Sequence, residues 1–593
     1  MYLSFYDVIV IFSFVIFLSV TTFSCYILLQ SYLIRESNNS NLEFIGILFL
    51  TPTTIVTLLH LIGLVHVWFY FSIMILVILI TLRKSKSYLI KIKKINKSEV
   101  ILLFSIFLLS IFVYYFDAYN NISLNHPDAI TNYYWAKTLV ESKELIIQPG
   151  LSGLLYPLLN LFEIRYLLNY IGATLGIVSY FVILLMLNSI LGRKGLLVFV
   201  LISLSFPLNV LTTVRFGLHS GVIFQVIILS YLIFFIKVLE SKSYIDNFRT
   251  NALIFFLIFF QAGMFSASQT LTLLVLCLFL FSILGIYFRK SFYYSLLYFI
   301  MSFFGFLSTI FLLGPKSLTN SVVNISSTLP SNSIVKADIE EDNYLLTVIN
   351  DFVLPVKQFR PLLESHYAIG SYLLVIPLVL ISIQTFKRQN LKLLTFSLSC
   401  LFYIVVLNTG IFELTLAKGR SGWNLLLLVP ITLILLIKNN LHVLPKNLFR
   451  YLIFVIFLTN ILQPPRPHRP FPEEAFVLAK QISRYETHYI YSNIPHLEVV
   501  SRNLIVVDDL VKIISSRTNN IAILYTPNSE TGLISKKENL FSLIFNQGVY
   551  KNNTSLSTRR GDKNLTIINH LKQNDFIIFQ ENIDFIILKR QKG

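Results

Sequence analysis

Charge is scarce in this sequence. Charged residues make up 13% of the 593 positions, against about 25% in an ordinary soluble domain. A chain this poor in charge cannot cover one large globule with a water-facing surface. Acids are scarcer than bases, 30 against 48, which gives a formal net charge of +18. That excess does not signal nucleic-acid binding, because the basic residues sit in short loops between apolar runs. Positive-inside topology and anionic lipid headgroups explain them there. Cysteine is scarcer still. Cys25, Cys277 and Cys400 are far apart, all lie in apolar segments, and form no C-x-x-C. This excludes a disulfide scaffold, a cysteine zinc site and a dithiol redox motif, and leaves three inert buried thiols.

What is abundant is hydrophobic sequence, 55% of the residues, with a mean hydropathy of +0.71. Apolar runs near 20 residues long recur from Tyr6 to Leu462, and each is long enough to cross a bilayer of roughly 30 Å. The first, from about Phe5 to Leu33, has no basic flank and no small-residue cleavage site, so it is expected to be a retained helix. The predicted fold class is an α-helical polytopic membrane protein of about fourteen transmembrane helices, with a small C-terminal extracytoplasmic α/β domain. The predicted spans are 5–30, 44–63, 66–82, 99–115, 167–190, 196–213, 221–238, 251–267, 270–287, 292–313, 369–385, 393–409, 423–437 and 450–463. With the basic stretch 83–97 placed in the cytoplasm, alternation puts Arg193/Lys194, Lys237–Arg249, Arg289/Lys290, Lys387–Lys392 and Lys438–Arg450 there as well. All of these basic loops agree on one orientation. Outside lie a first external loop, 116–166, a long loop, 314–368, and everything after about residue 464.

Two domains follow, 1–463 in the membrane and 464–593 beyond it. The run Gln463-Pro464-Pro465-Arg466-Pro467-His468-Arg469-Pro470 cannot continue a helix and reads as a stiff linker. After it come short apolar runs between polar turns: 489–491, 505–507, 521–525, 576–579 and 585–588. Helical stretches are predicted at 472–484 and 510–516. This tail contains no Walker sequence, no G-x-G-x-x-G and no H-E-x-x-H.

The candidate chemistry sits in the outside loops. The first holds Asp117, His126 and Asp128, followed by a predicted interfacial helix over 129–141 that carries Tyr133, Tyr134 and Trp135. Pro127 sets Asp128 in the first turn of that helix. Two roles stay open for Asp128: a helix cap, or a partly desolvated general base at the bilayer surface. Near residue 420, Lys418-Gly419-Arg420-Ser421-Gly422-Trp423 begins a span at its outer end. Arg420 and Lys418 there either meet a lipid phosphate or snorkel among headgroups. Arg215 and His219 occupy the short loop after the sixth span. Lys357, Arg360 and His366 crowd the return of the long loop to the membrane, as substrate contacts or ordinary loop polarity. Asp338, Glu340, Glu341 and Asp342 read as a solvated acidic turn rather than a divalent-metal site.

The block Pro-Asp-Ala-x-x-x-Tyr-Tyr-x-Ala-Lys-x-Leu, residues 127–139, resembles the first external loop of the C superfamily of glycosyltransferases (GT-C). That group includes the protein O-mannosyltransferases and the lipid A aminoarabinose transferases. The positions that carry the likeness are Asp128, Ala129, Tyr133 or Tyr134, and Ala136, within a similar layout of many spans and a C-terminal domain. The resemblance implies transfer of a sugar from a polyprenyl-phosphate donor to a glycan, lipid or protein acceptor outside a bacterial inner or plasma membrane. It implies that Asp128 is the base and that Arg420 faces the carrier phosphate. The loop 212–219 carries no acid, unlike the early external loop of the metal-dependent oligosaccharyltransferases, so a divalent metal stays an open alternative and not a requirement. The rival readings are a transporter or flippase of lipid-linked saccharide and a cell-envelope polysaccharide polymerase or ligase. A transporter would be expected to carry ionisable groups at mid-membrane depth and two related halves. His60 and His66 are exceptions in otherwise apolar runs.

Overall fold

A computed structural model describes residues 5–33, 51–64, 66–88, 108, 127–141, 149–162, 164, 167–205, 220–240, 247–289, 292–313, 375, 378–387, 389–408, 417–438, 473–484, 486–492, 497, 501, 503–507, 510–515, 520–525, 565–581 and 585–591. Two kinds of architecture appear, a helical bundle and a small sheet with helices on it.

The bundle comprises α1 (Phe5–Leu33), α2 (Thr51–Leu61), α3 (Val67–Tyr88), α4 (Pro127–Glu141), α5 (Pro149–Leu159), α6 (Leu168–Ser205), α7 (Ser220–Glu240), α8 (Phe248–Phe265), α9 (Ala267–Leu280), α10 (Phe292–Leu313), α11 (Leu378–Lys387), α12 (Leu391–Asn408) and α13 (Ala417–Lys438). Among the described residues, six helices are long and apolar enough to cross a membrane. Shorter apolar helices join them at Val67–Arg83, Gly150–Leu159, Leu378–Lys387, Leu391–Val406 and Leu427–Lys438. The predicted span 99–115, apart from residue 108, the span 450–463 and the linker 463–470 lie outside the described residues.

The breaks between helices have identifiable causes. Gly63 ends α2 at φ +70°, where the Leu64 N–H reaches the Leu59 carbonyl (2.9 Å) and the Gly63 N–H reaches that of His60 (3.0 Å). This is a Schellman cap, which needs a residue tolerant of positive φ. His66 Nδ1 then accepts the Trp68 N–H at 3.3 Å and opens α3. Gly192, at φ 65° and ψ 177°, splits α6 into two pieces. The predicted spans 167–190 and 196–213 meet at that break. Ser266 is extended (φ −165°), and its hydroxyl accepts the Gln269 N–H at the start of α9. The chain therefore turns from α8 to α9 slightly before the predicted outside dipeptide 268–269.

The ends of the helices sort into two sets. Lys438 Nζ, at the end of α13, donates to the Ile190 carbonyl beside the Gly192 break (3.2 Å). Lys392 at the start of α12 pairs with Glu240 at the end of α7 (3.7 Å). Tyr287 stacks near Phe386, with centroids 3.9 Å apart, and Phe248 meets Tyr294 at 5.6 Å. Every one of these contacts joins loops that the charge pattern assigns to one side. At the opposite end, Gly150 lies against Phe265, and Tyr6 meets Phe162 at 6.0 Å. Both pairs belong to segments assigned to the other side.

Close approach of α8 and α10 depends on small residues. A Cβ at Gly263 would come within 2.7 Å of Thr309 Oγ1, and one at Gly305 would strike the Phe256 carbonyl. Thr309 Oγ1 also donates to the Phe260 carbonyl at 3.0 Å. In hydrocarbon, such small-residue seams provide the packing that association relies on.

The C-terminal region is a five-stranded sheet of order β2-β1-β3-β5-β4. Its strands are β1 (His488–Ser492), β2 (Leu504–Val506), β3 (Asn520–Tyr525), β4 (Phe576–Glu581) and β5 (Phe585–Arg590). β1 is parallel to both β2 and β3, whereas β5 is antiparallel to β3 and β4. Alternate side chains serve opposite faces. Ile521, Ile523, Phe585 and Ile587 pack with Ala475, Phe476 and Ala479 of α14 (Glu473–Ile482). Ala522, Leu524, Ile586 and Leu588 pack on the other face with Ile513 of α15 (Leu510–Ser515) and with Ile568 and Leu571 of a helix over 565–573. All five predicted strands and both predicted helices are present.

Candidate functional site

The acidic loop is built by α4 and α5. Pro127 opens α4, where its missing N–H removes no helical bond and its fixed φ suits the first turn. Asp128 is therefore in that first turn, as the sequence predicted. The helix is two-faced. Asn132, Tyr133, Ala136 and Leu139 are buried, whereas Tyr134, Lys137 and Glu141 are exposed. Asp128 precedes Asn132 by one turn in α4. The two tyrosines separate cleanly: Tyr133 is 6% exposed and Tyr134 is 41% exposed. Their rings meet edge to face at 5.3 Å. Lys137 and Glu141 form an exposed pair at 3.6 Å, one turn apart, of a kind worth at most a few tenths of a kcal/mol.

The sequence reading missed α5. Residues 150–158 are buried almost without interruption, although they fall in what was predicted as an external loop. Leu151, Leu154, Leu155 and Leu158 enter the main core. Tyr156 turns toward the cluster of Ile55, Val56, Leu59, Tyr70 and Leu139. α4 is seated on α5, which is itself part of the bundle. The Pro149-Gly150 start and Pro157 hid α5, since they read as breakers, and eleven residues are too few for a span.

Lys418 and Arg420 fall in the first turn of α13. Two cations in the first turn of a helix oppose its dipole by about 0.3–1 kcal/mol each. The position of that turn follows from the contacts above. Lys438 touches the Ile190 end of α6, so the other end of α13 projects toward Leu168, about 33 Å away at 1.5 Å per residue. That is the end at which α5 meets Phe265 and where α4 is packed. α4, which carries Asp128 in its first turn, packs on α5, and α13 carries Lys418 and Arg420 in its first turn. Asp117, His126, Arg215, His219, Lys357, Arg360 and His366 lie outside the described residues, as does the acidic turn 338–342. No cluster of three or more histidine, cysteine, aspartate or glutamate side chains that could hold a metal occurs among the described residues. Cys277 and Cys400 are free and buried, with Cys277 Sγ 3.7 Å from Ser302 Oγ and Cys400 Sγ 3.4 Å from Thr432 Oγ1.

The sequence reading also passed over the amides. Gln225, Gln261, Gln269 and Asn424 are all buried within apolar helices. A buried polar group with no partner costs about 1–3 kcal/mol, so amides at these positions call for an explanation. Their only signal in the sequence is a single amide in each hydrophobic run, as in Phe259-Phe260-Gln261-Ala262.

No protein-family model matches the chain, and no curated protein matches it either.

Proposed function

We propose that this protein is a membrane glycosyltransferase that moves a sugar from a polyprenyl-phosphate donor to an acceptor on the extracytoplasmic side. The observation that supports the reading is that the block 127–139 opens a helix with Asp128 in its first turn, while Lys418 and Arg420 lie in the first turn of α13. One end of the bundle gathers the basic loops, and the positive-inside rule assigns that end to the cytoplasm. In this reading Asp128 takes the proton from the acceptor hydroxyl. The acceptor oxygen bonds to the anomeric carbon as the bond from that carbon to the phosphate oxygen breaks. Arg420 meets the charge that builds on the departing lipid phosphate, with Lys418 beside it. One such displacement inverts the anomeric centre. The prenyl chain stays in the apolar surface of the bundle. The C-terminal domain is extracytoplasmic and presents the acceptor, a glycan, a lipid or a protein.

Mass spectrometry of surface glycans and lipid-linked sugars, with and without the protein, tests the activity class. A lipid-linked sugar should accumulate and a glycan product should vanish when the protein is removed; unchanged profiles would overturn the reading. In an assay built on that pair, Asp128→Asn should lower transfer about 10²–10⁴-fold, the range of general-base catalysis, while the protein still inserts. Asp117→Asn should do far less, and the reverse pattern would exchange the two carboxylates. Arg420→Ala should cost about a hundredfold in rate with a weaker donor affinity. Arg420→Lys should recover part of that, because charge remains and the bidentate fork is lost. Unchanged donor kinetics in Arg420→Ala would remove it from the site.

A further inference from the structure

Four helices close a ring: α7 packs on α8, α8 on α9, α9 on α13, and α13 back on α7. Each contributes one buried amide, Gln225, Gln261, Gln269 and Asn424 in that order. Aromatic and hydroxyl contacts fix their heights. Tyr231 meets Phe255, Phe255 meets Phe281, Phe279 meets Phe402, and the Cys400 thiol meets Thr432. Those contacts lie at nearly one level across the ring. Counting outward at 1.5 Å per residue, Gln225 and Gln261 stand about 9 Å above that level and Asn424 about 12 Å; Gln261 is five residues before the Ser266 turn and Gln269 three residues after it, so those two differ by about 3 Å. The amides therefore occupy one layer in the outer half of the bundle.

Three of them hold unused hydrogen-bonding capacity. Gln261 Oε1, both Oε1 and Nε2 of Gln269, and Asn424 Oδ1 are sealed from solvent with no hydrogen-bond partner among the described residues. Their side chains are more than nine-tenths buried, at 7%, 2% and 3% exposure. Hydrocarbon cannot satisfy such groups, and they are not paired with one another.

We propose that the amide ring of Gln261, Gln269 and Asn424 binds the sugar of the lipid-linked donor. A hydroxyl is donor and acceptor at once, as is an amide, so a neutral polyhydroxylated ring matches this layer group for group. No carboxylate, ammonium or guanidinium belongs to the ring, which disfavours a charged ligand. The register on α13 adds direction. Arg420 lies one helical turn before Asn424 in α13, which sets the basic first turn next to the amide along the helix. The proposal rests on the glycosyl-transfer reading and names the group that selects the sugar.

The test uses the full-length protein in lipid nanodiscs. Native mass spectrometry would measure binding of a short-chain polyprenyl phosphate, bare or carrying glucose, mannose, N-acetylglucosamine or arabinose. At least one glycosylated probe should bind about tenfold or more tighter than the bare lipid phosphate, the worth of one or two hydrogen bonds. Gln261→Met, Gln269→Met and Asn424→Leu should each erode that preference while leaving the bare phosphate's affinity unchanged. Their melting temperatures without ligand should hold or rise, because an apolar side chain replaces an idle amide. Lower melting with the sugar preference intact would show a packing role and overturn the proposal. No preference for any of the four sugars would also overturn it, as would a sodium- or potassium-dependent stabilisation lost in the same variants. The two readings fail separately. Sugar preference that depends on the amides, in a protein that transfers nothing, retires the transferase and keeps the ring. Transfer with amide-independent preference does the opposite.

Discussion

The helical bundle and the C-terminal sheet both bury apolar side chains but differ in what else they bury and expose. In the sheet, Ile521, Ile523, Leu524, Ile587 and Leu588 are inside, and the surface carries Lys572, Lys589 and Glu581. In the bundle, Phe5, Trp68 and Phe311 are 82%, 72% and 78% exposed, whereas Ser179, Ser230, Thr270, Ser302, Thr395 and Ser399 are fully buried. The same rule produces both patterns once the solvent differs. Water drives apolar side chains inward in the sheet. Lipid is as apolar as leucine, so the bundle gains nothing by hiding leucine and must instead satisfy every polar group internally. Many of its hydroxyls do so by bonding one turn back: Thr270 to the Ser266 carbonyl at 2.7 Å, Thr395 to Leu391 at 2.8 Å and Ser302 to Tyr298 at 2.9 Å. Gln261, Gln269 and Asn424, like Ser179, keep sealed polar atoms with no hydrogen-bond partner among the described residues.

Two substitutions sharpen the contrast. Ile523→Ala empties a fully buried site on the central strand β3. It should cost about 2–5 kcal/mol, read as a lowered thermal or urea midpoint of the sheet alone, with helical signal and membrane insertion unchanged. Simultaneous loss of both regions would show that they fold as one unit and end the comparison. Gly263→Val pushes a branched side chain into Thr309 at the α8–α10 seam. Overpacking of that kind costs about 1–3 kcal/mol, seen as lower detergent stability with the sheet's midpoint unchanged. A neutral outcome would mean that the seam is loose and that small residues are incidental to it.

Legibility differed between the regions for the same physical reason. In the tail, short apolar runs between polar turns mark each strand, so β1 to β5 could be read directly. Its strand order could not, because pairing β1 between β2 and β3 depends on crossovers that no local pattern encodes. In the bundle, length and charge located most helices, and Gly63 and Gly192 fall where spans were separated. What stayed hidden were features whose meaning is tertiary. α5 is too short and too rich in glycine and proline to announce itself, yet it seats the helix that carries Asp128. Tyr133 and Tyr134 are equivalent as letters; only packing decides that Tyr133 is the buried one. The amides look like isolated polar residues until four helices bring them to one layer.

The central claim is that the Asp128 helix and the C-terminal sheet face one side of the membrane while the basic loops face the other. Site-directed labelling tests it most directly. In a protein with Cys25, Cys277 and Cys400 replaced by serine, single cysteines would be placed at Ser142, Ser529 and Ser85. An impermeant maleimide added to intact cells should label the cysteines at positions 142 and 529, and should reach the one at position 85 only after permeabilisation. Labelling of position 85 alone in intact cells would reverse the orientation and remove the extracytoplasmic chemistry with it.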